Sequence, residues 1–204
     1  MESRSSKVVA IVALVVAVIG LGIGFAAFSS TLTISSSATV TPSASTFKVA
    51  FSTSSASLTG TSITPTTTGG ATAEASSFTE TTLTGSDAQF TAPGQSVKYS
   101  LYAYNAGEYL AYLNGVTVGA VTCEPGEGTT AGLVNAACDD ITVSVKVGNT
   151  TYTESDSAIS SHTLAKGTGE PVEVLISYAE NGDRADGVFT VSIGSISLVY
   201  DSHD

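Results

Sequence analysis

The clearest pattern in the chain lies at residues 28–40, Phe-Ser-Ser-Thr-Leu-Thr-Ile-Ser-Ser-Ser-Ala-Thr-Val. Phe28, Leu32, Ile34, Ala38 and Val40 take even positions, while Ser29, Thr31, Thr33, Ser35, Ser37 and Thr39 put a hydroxyl at every odd one. Strand side chains alternate between faces with a period of two, so this spacing predicts one long strand with an apolar and a hydroxyl face. The alternation returns after a break at Thr41-Pro42-Ser43, with Phe47, Val49 and Phe51 on one face. Farther on, Val97, Tyr99, Leu101 and Ala103 alternate with Lys98, Ser100 and Tyr102. A turn at Ala92-Pro93-Gly94-Gln95 opens that strand and Asn105-Ala106-Gly107 closes it, with the next beginning within 110–121. Ile141, Val143, Val145 and Val147 alternate strictly up to Gly148-Asn149, a hairpin signal into Thr151-Tyr152-Thr153. Val172, Val174 and Ile176 mark another strand. In the run 188–200 the apolar phase shifts, and Gly194 predicts a bulge that resets which face is buried.

Elsewhere the periodicity is weaker. Residues 52–82 are rich in Ser and Thr, hold isolated apolar residues at Leu58, Ile63 and Phe78, and are punctuated by Thr64-Pro65 and Gly69-Gly70. This predicts weak edge strands and long loops. A short helix is expected within 154–166. Together these elements predict an all-β fold, an antiparallel sandwich of jelly-roll or Ig-like type, occupying one domain over 28–204.

A hydrophobic signal helix is expected ahead of that domain. Arg4 and Lys7 precede an uncharged run of 18 residues at 8–25, and small residues follow at Ala26 and Ala27. The pattern is that of an export leader over 1–27. A run of this length sits at the lower edge of what spans a bilayer, so an uncleaved anchor is the rival reading. Either way, positive charge before the run places the bulk of the chain outside the cytoplasm. Cys123 and Cys138 agree with export: they bracket a loop without regular period, and in an oxidising compartment the simplest reading is one disulfide.

Charge then excludes some partners. The chain carries a net −11, and with five scattered basic residues beyond the leader it has no basic patch for a phosphate backbone. No nucleic acid and no cofactor is expected, and a membrane only through the leader.

The junction Gly24-Phe25-Ala26-Ala27-Phe28-Ser29, with Leu32-Thr33-Ile34 and then Phe47-Lys48-Val49-Ala50-Phe51, resembles the TasA/camelysin-type family of bacterial secreted proteins. The resemblance covers about the first 50 residues, and the 93–107 segment loosely. It implies cleavage between Ala27 and Phe28 by a dedicated signal peptidase of the SipW type. For the TasA branch it implies a jelly-roll-like subunit whose N-terminal strand completes the sheet of the next subunit in an extracellular fibre. The chain departs from that branch in being acidic, poor in Lys and equipped with a cysteine pair. A strand with one full apolar face also has a physical case for joining: it folds into its own sandwich or inserts into a neighbour's. The function expected is therefore a structural subunit of an extracellular fibre, biofilm matrix or pilus, self-associating into filaments beside other matrix proteins or glycans. Phe28, Leu32, Ile34, Ala38 and Val40 form its joining face. The alternative is a monomeric or membrane-anchored surface module that binds a glycan or a protein.

Catalysis finds little support. The two histidines are His162, expected in a solvated loop beside Ser160-Ser161, and His203 near the C-terminus. The sequence has neither a His-Glu-x-x-His zinc spacing nor a Gly-x-Ser-x-Gly elbow, so no enzyme is expected. Asn181, Asp183 and Asp186 on a Gly-bearing loop are a weak calcium candidate, against the plainer reading of an acidic hairpin loop. Asp139-Asp140 read as solvated turn charge. Asn149-Thr150-Thr151 is a glycosylation sequon on a hairpin. Tyr99, Tyr102, Tyr104, Tyr109 and Tyr112 fall in one segment, either as a carbohydrate-binding face or, in part, as core packing.

Overall fold

The computed structural model describes residues 47–202, which form three antiparallel sheets and one helix among the described residues. The leader, the strand expected at 28–40 and His203 lie outside the described residues. Strands are numbered in chain order.

Sheet one is built from β1 (Val49–Ser52), β8 (Ser96–Asn105), β14 (Gly169–Tyr178), β11 (Ile141–Val147) and β12 (Thr150–Tyr152), neighbours in that order. Another strand, β3 (Thr66–Thr68), shares with β1 the outer side of β8, pairing at Ser96–Lys98 while β1 pairs at Tyr102–Asn105. The sequence alternation is what these strands bury. Val97, Tyr99, Leu101 and Ala103 face the core from β8, Val172, Val174 and Ile176 from β14, and Ile141, Val143, Val145 and Val147 from β11. The hairpin at Gly148-Asn149 is present, with Val147 opposite Thr150 and Gly148 at φ +57°. Positive φ at the first loop residue suits the twist of the flanking strands.

The other two sheets are related. Sheet two runs β10 (Val121–Pro125), β15 (Phe189–Ile193), β7 (Asp87–Phe90), β4 (Thr72–Ala73). Sheet three repeats that order with the strands adjacent in sequence, β9 (Ala111–Thr117), β16 (Ile196–Asp201), β6 (Thr82–Leu83), β5 (Ser76–Thr79), and adds β13 (Thr163–Leu164) beside β9 and β2 (Ser62–Ile63) beside β5. Register runs through unchanged: Asp87 faces Ser192 on one side of the break and Leu83 faces Ile196 on the other. Sheets two and three are thus halves of one four-stranded surface, creased where 74–75, 84–86, 118–120 and 194–195 cross from one half to the other. Strands that turn corners in this way make the ends of orthogonal sandwiches.

The crease revises the expectation at Gly194. The apolar phase does reset there, from Phe189, Val191 and Ile193 to Ile196 and Leu198. A bulge would add a residue to one strand only; here neighbouring strands bend together and keep their register. The register shift falls instead at Val199/Tyr200. Glycine makes the bend close. A Cβ on Gly85 would lie 2.2 Å from the carbonyl oxygen of Ile193, and one on Gly119 would lie 2.1 Å from that of Gly194.

The core sits between sheet one and the creased surface. Tyr178 of β14 meets Phe189 of β15 edge-on at 5.7 Å, and Phe90 of β7 lies 6.2 Å from each of these two rings. Phe51 and Phe78 form a second edge-on pair at 6.2 Å, tying β1 to β5. Edge-to-face rings at this spacing add roughly 1 kcal/mol to their burial.

The helix is not at 154–166. That stretch is irregular around β13, held to β9 by a reciprocal backbone pair between Val116 and Asp156 and by the bond from Leu113 N–H to the His162 carbonyl. The one helix among the described residues is α1 (Ala131–Asp139), inside the cysteine loop. Nine residues are too few for a stable isolated helix. Tertiary contacts hold it: Val134 and Ala137 are buried, and Cys138 is disulfide-bonded to Cys123 of β10. Residues 52–82 supply short strands at sheet edges, as their composition predicts.

Candidate functional site

β1 pairs with β8 along one edge and, among the described residues, has no strand along the other. Toward β8 it pairs from Val49 opposite Asn105 to Ser52 opposite Tyr102. On its other side the described residues offer no strand, and Phe51 N–H donates to the Glu80 carbonyl at 2.5 Å. Glu80 opens the two-residue turn between β5 and β6 at φ +47°, a conformation that non-glycine residues seldom adopt. The turn thereby covers the second half of the β1 edge. The first half borders a cleft of about 400 Å³, lined by 47–50, Glu80, Thr81 and Tyr200. Apolar side chains beside a strand edge with no described strand against it suit an extended peptide better than a small polar ligand.

Tyr200 joins this cleft to a polar cluster behind it. Its hydroxyl donates to Glu170 Oε1 at 2.8 Å, and Glu170 Oε2 lies 2.6 Å from His162 Nε2. The His162 and Glu170 side chains are only 17% and 14% exposed, so His162 is not the solvated loop residue expected. Its carbonyl accepts from Leu113 N–H, which swings the ring toward the start of β14. The Gly148 turn closes over the pair; a Cβ there would come within 3.2 Å of Glu170 Oε2. Burial, and then the neighbouring Glu170 carboxylate, push the Tyr200 phenol well above its ordinary range. His162 hydrogen-bonds to Glu170 rather than to Ser160 or Ser161, so the arrangement is one of a carboxylate bridging two ring side chains.

No family model matches this chain, nor does any curated protein or solved structure. Its site has to be read from its own residues.

The remaining sequence candidates separate. Cys123 and Cys138 are bonded, which fits an oxidising, non-cytoplasmic compartment. Closing a loop of this span stabilises by roughly 3 kcal/mol on the chain-entropy model. No described helix is long and apolar enough to cross a membrane. In the 181–187 loop, Asp186 gives both carboxylate oxygens to Thr130, and Asp183 N–H donates to Asp140 Oδ2 at 2.6 Å. Among the described residues no three His, Cys, Asp or Glu side chains are grouped to hold a metal. Asp140 is accordingly a loop anchor rather than free turn charge.

The tyrosines do not form one face. Tyr99 is buried and donates to the Glu74 carbonyl at 3.1 Å, Tyr102 and Tyr104 are half-buried on the outer side of β8, and Tyr112 belongs to sheet three. Tyr109 is exposed in the connection to β9. Phe28, Leu32, Ile34, Ala38 and Val40, and the Ala27–Phe28 junction, lie outside the described residues. Sequence reasoning missed Tyr200, Glu170 and the left-handed Glu80. The sequence pattern places Tyr200 only in phase with Ile196 and Leu198, and the register shift at Val199/Tyr200 left no sign in it.

Proposed function

We propose that the chain is an exported structural subunit that joins copies of itself into filaments, the strand at 28–40 of one copy pairing with the open edge of β1 in the next. The observation that carries this reading is the half-covered β1 edge, where backbone at 47–50 borders a partly apolar cleft with no described strand against it. The alternating strand ahead of it supplies a matching ribbon, with Phe28, Leu32, Ile34, Ala38 and Val40 on one side. A six-residue link such as 41–46 has a maximum reach of roughly 20 Å. A head-to-tail joint of this kind does not close on itself and therefore propagates. The leader at 1–27, removed at Ala27–Phe28, and a jelly-roll-type sandwich belong to the same reading, supported by the resemblance of the leader junction and by the all-β fold.

Negative-stain microscopy of chain beginning at Phe28 is the test. Filaments are expected, and deletion of 28–40 should abolish them while leaving a folded monomer that binds the 28–40 peptide. Discrete particles from the processed chain, or a deletion variant that unfolds and ignores the peptide, would show that the strand completes its own subunit instead.

A further inference from the structure

We infer that Asn149 is a glycan-attachment site of the exported protein. Asn149-Thr150-Thr151 is the one Asn-x-Ser/Thr sequence among the chain's five asparagines. The structure places it on the tip of the β11–β12 hairpin, in the two-residue turn between Val147 and Thr150. Asn149 and Thr150 are exposed, and Thr151 is exposed beside them. Two of the other asparagines offer contrasts. Asn105 is buried, with Nδ2 donating to the Tyr109 and Leu164 carbonyls, and Asn114 Nδ2 donates to Asp201 Oδ2 at 3.0 Å. The sequon asparagine therefore sits where a transferase can reach it and where an attached sugar points into water.

The disulfide supplies the second condition, a compartment outside the cytoplasm, where sugars are added to chains crossing the membrane. The reaction is transfer from a lipid-pyrophosphate-linked glycan. Asn149 Nδ2 bonds to the anomeric carbon of the first sugar, the bond from that carbon to the pyrophosphate oxygen breaks, and the lipid pyrophosphate leaves with the electron pair. The amide gives up one proton to a base of the transferase, and the Thr151 hydroxyl is the group by which the transferase selects this asparagine. β12 and β1 stand at opposite ends of sheet one. Asn149 and the β1 edge thus lie on different edges of that sheet, and this inference stands whether or not the subunits join at β1.

Mass spectrometry of the protein secreted by its native host decides the matter. The tryptic peptide 147–166 carries Asn149, and it should appear heavier by a sugar chain, with the added mass localised to that residue. Asn149→Gln and Thr151→Ala should both return the peptide to its unmodified mass, whereas Thr151→Ser should keep the addition. A secreted wild-type protein whose 147–166 peptide has only its sequence mass overturns the assignment, as does an added mass that survives Asn149→Gln.

Discussion

Asp186 grips Thr130 with both carboxylate oxygens, one accepting the backbone N–H at 2.8 Å and the other the hydroxyl at 2.6 Å. Thr130 is the residue before α1, and its own hydroxyl makes no cap to the helix. A negative group from a loop 56 positions away therefore pins the residue at which the helix starts, and its charge suits the positive end of the helix. These bonds hold the Asp186 carboxyl below the ordinary aspartate range. A depressed carboxyl adds stability above its unfolded value, and that stability is lost as pH falls through the lower folded value. Asp186→Asn should consequently lower the urea midpoint near about pH 7 and leave it unchanged near about pH 2. An equal difference at both ends would show that charge plays no part. Because Asp186 is exposed, the effect is expected to be small and weaker in salt.

Tyr200 behaves in the opposite sense. Its raised phenol contributes in full below the ordinary tyrosine value of 10.0, and the contribution drains away as pH climbs above that value toward the folded one. Tyr200→Phe should cost about 1 kcal/mol near neutrality through the lost bond to Glu170. It should also lessen the loss of stability in alkali. Tyrosinate absorbance of the folded protein should show this phenol ionising only with unfolding, and an ordinary titration would contradict the buried arrangement.

The crease makes a sharper prediction. Gly119→Ala drives a Cβ against the Gly194 carbonyl, and since the obstacle is backbone the strands must separate. A loss of about 3 kcal/mol is expected. Gly132→Ala is the contrast: nothing lies within 4 Å of its Cβ, and it stands inside α1. That change should stabilise by up to about 1 kcal/mol through helix propensity. Thermal or denaturant unfolding of the two variants reads both signs.

Period-two alternation made β8, β11 and β14 legible, because each buries one face and leaves the other toward solvent. The disulfide was legible from two cysteines behind a leader-like hydrophobic run, and the Gly148-Asn149 hairpin from its turn residues. What escaped was whatever depends on partners distant in sequence. α1 is too short to announce itself, and it exists through Cys138, Val134 and its packing on β10. His162 looked like a loop residue because its partner Glu170 lies in another strand, whose position follows from the pairing of β14 with β8. The crease was half visible: the shift of phase could be seen at Gly194, but not that β7 and β10 bend beside it.

The corner in the second surface also bears on how kinship to this chain can be detected. Ser- and Thr-rich surface positions make weak demands on side-chain identity, so they can be rewritten with little effect on folding. Gly85 and Gly119 have no such latitude, since each meets main chain on either flank of Ile193 and Gly194. Distant relatives that share the folded-over sheet are therefore better sought by the spacing of these glycines between alternating segments than by overall sequence identity.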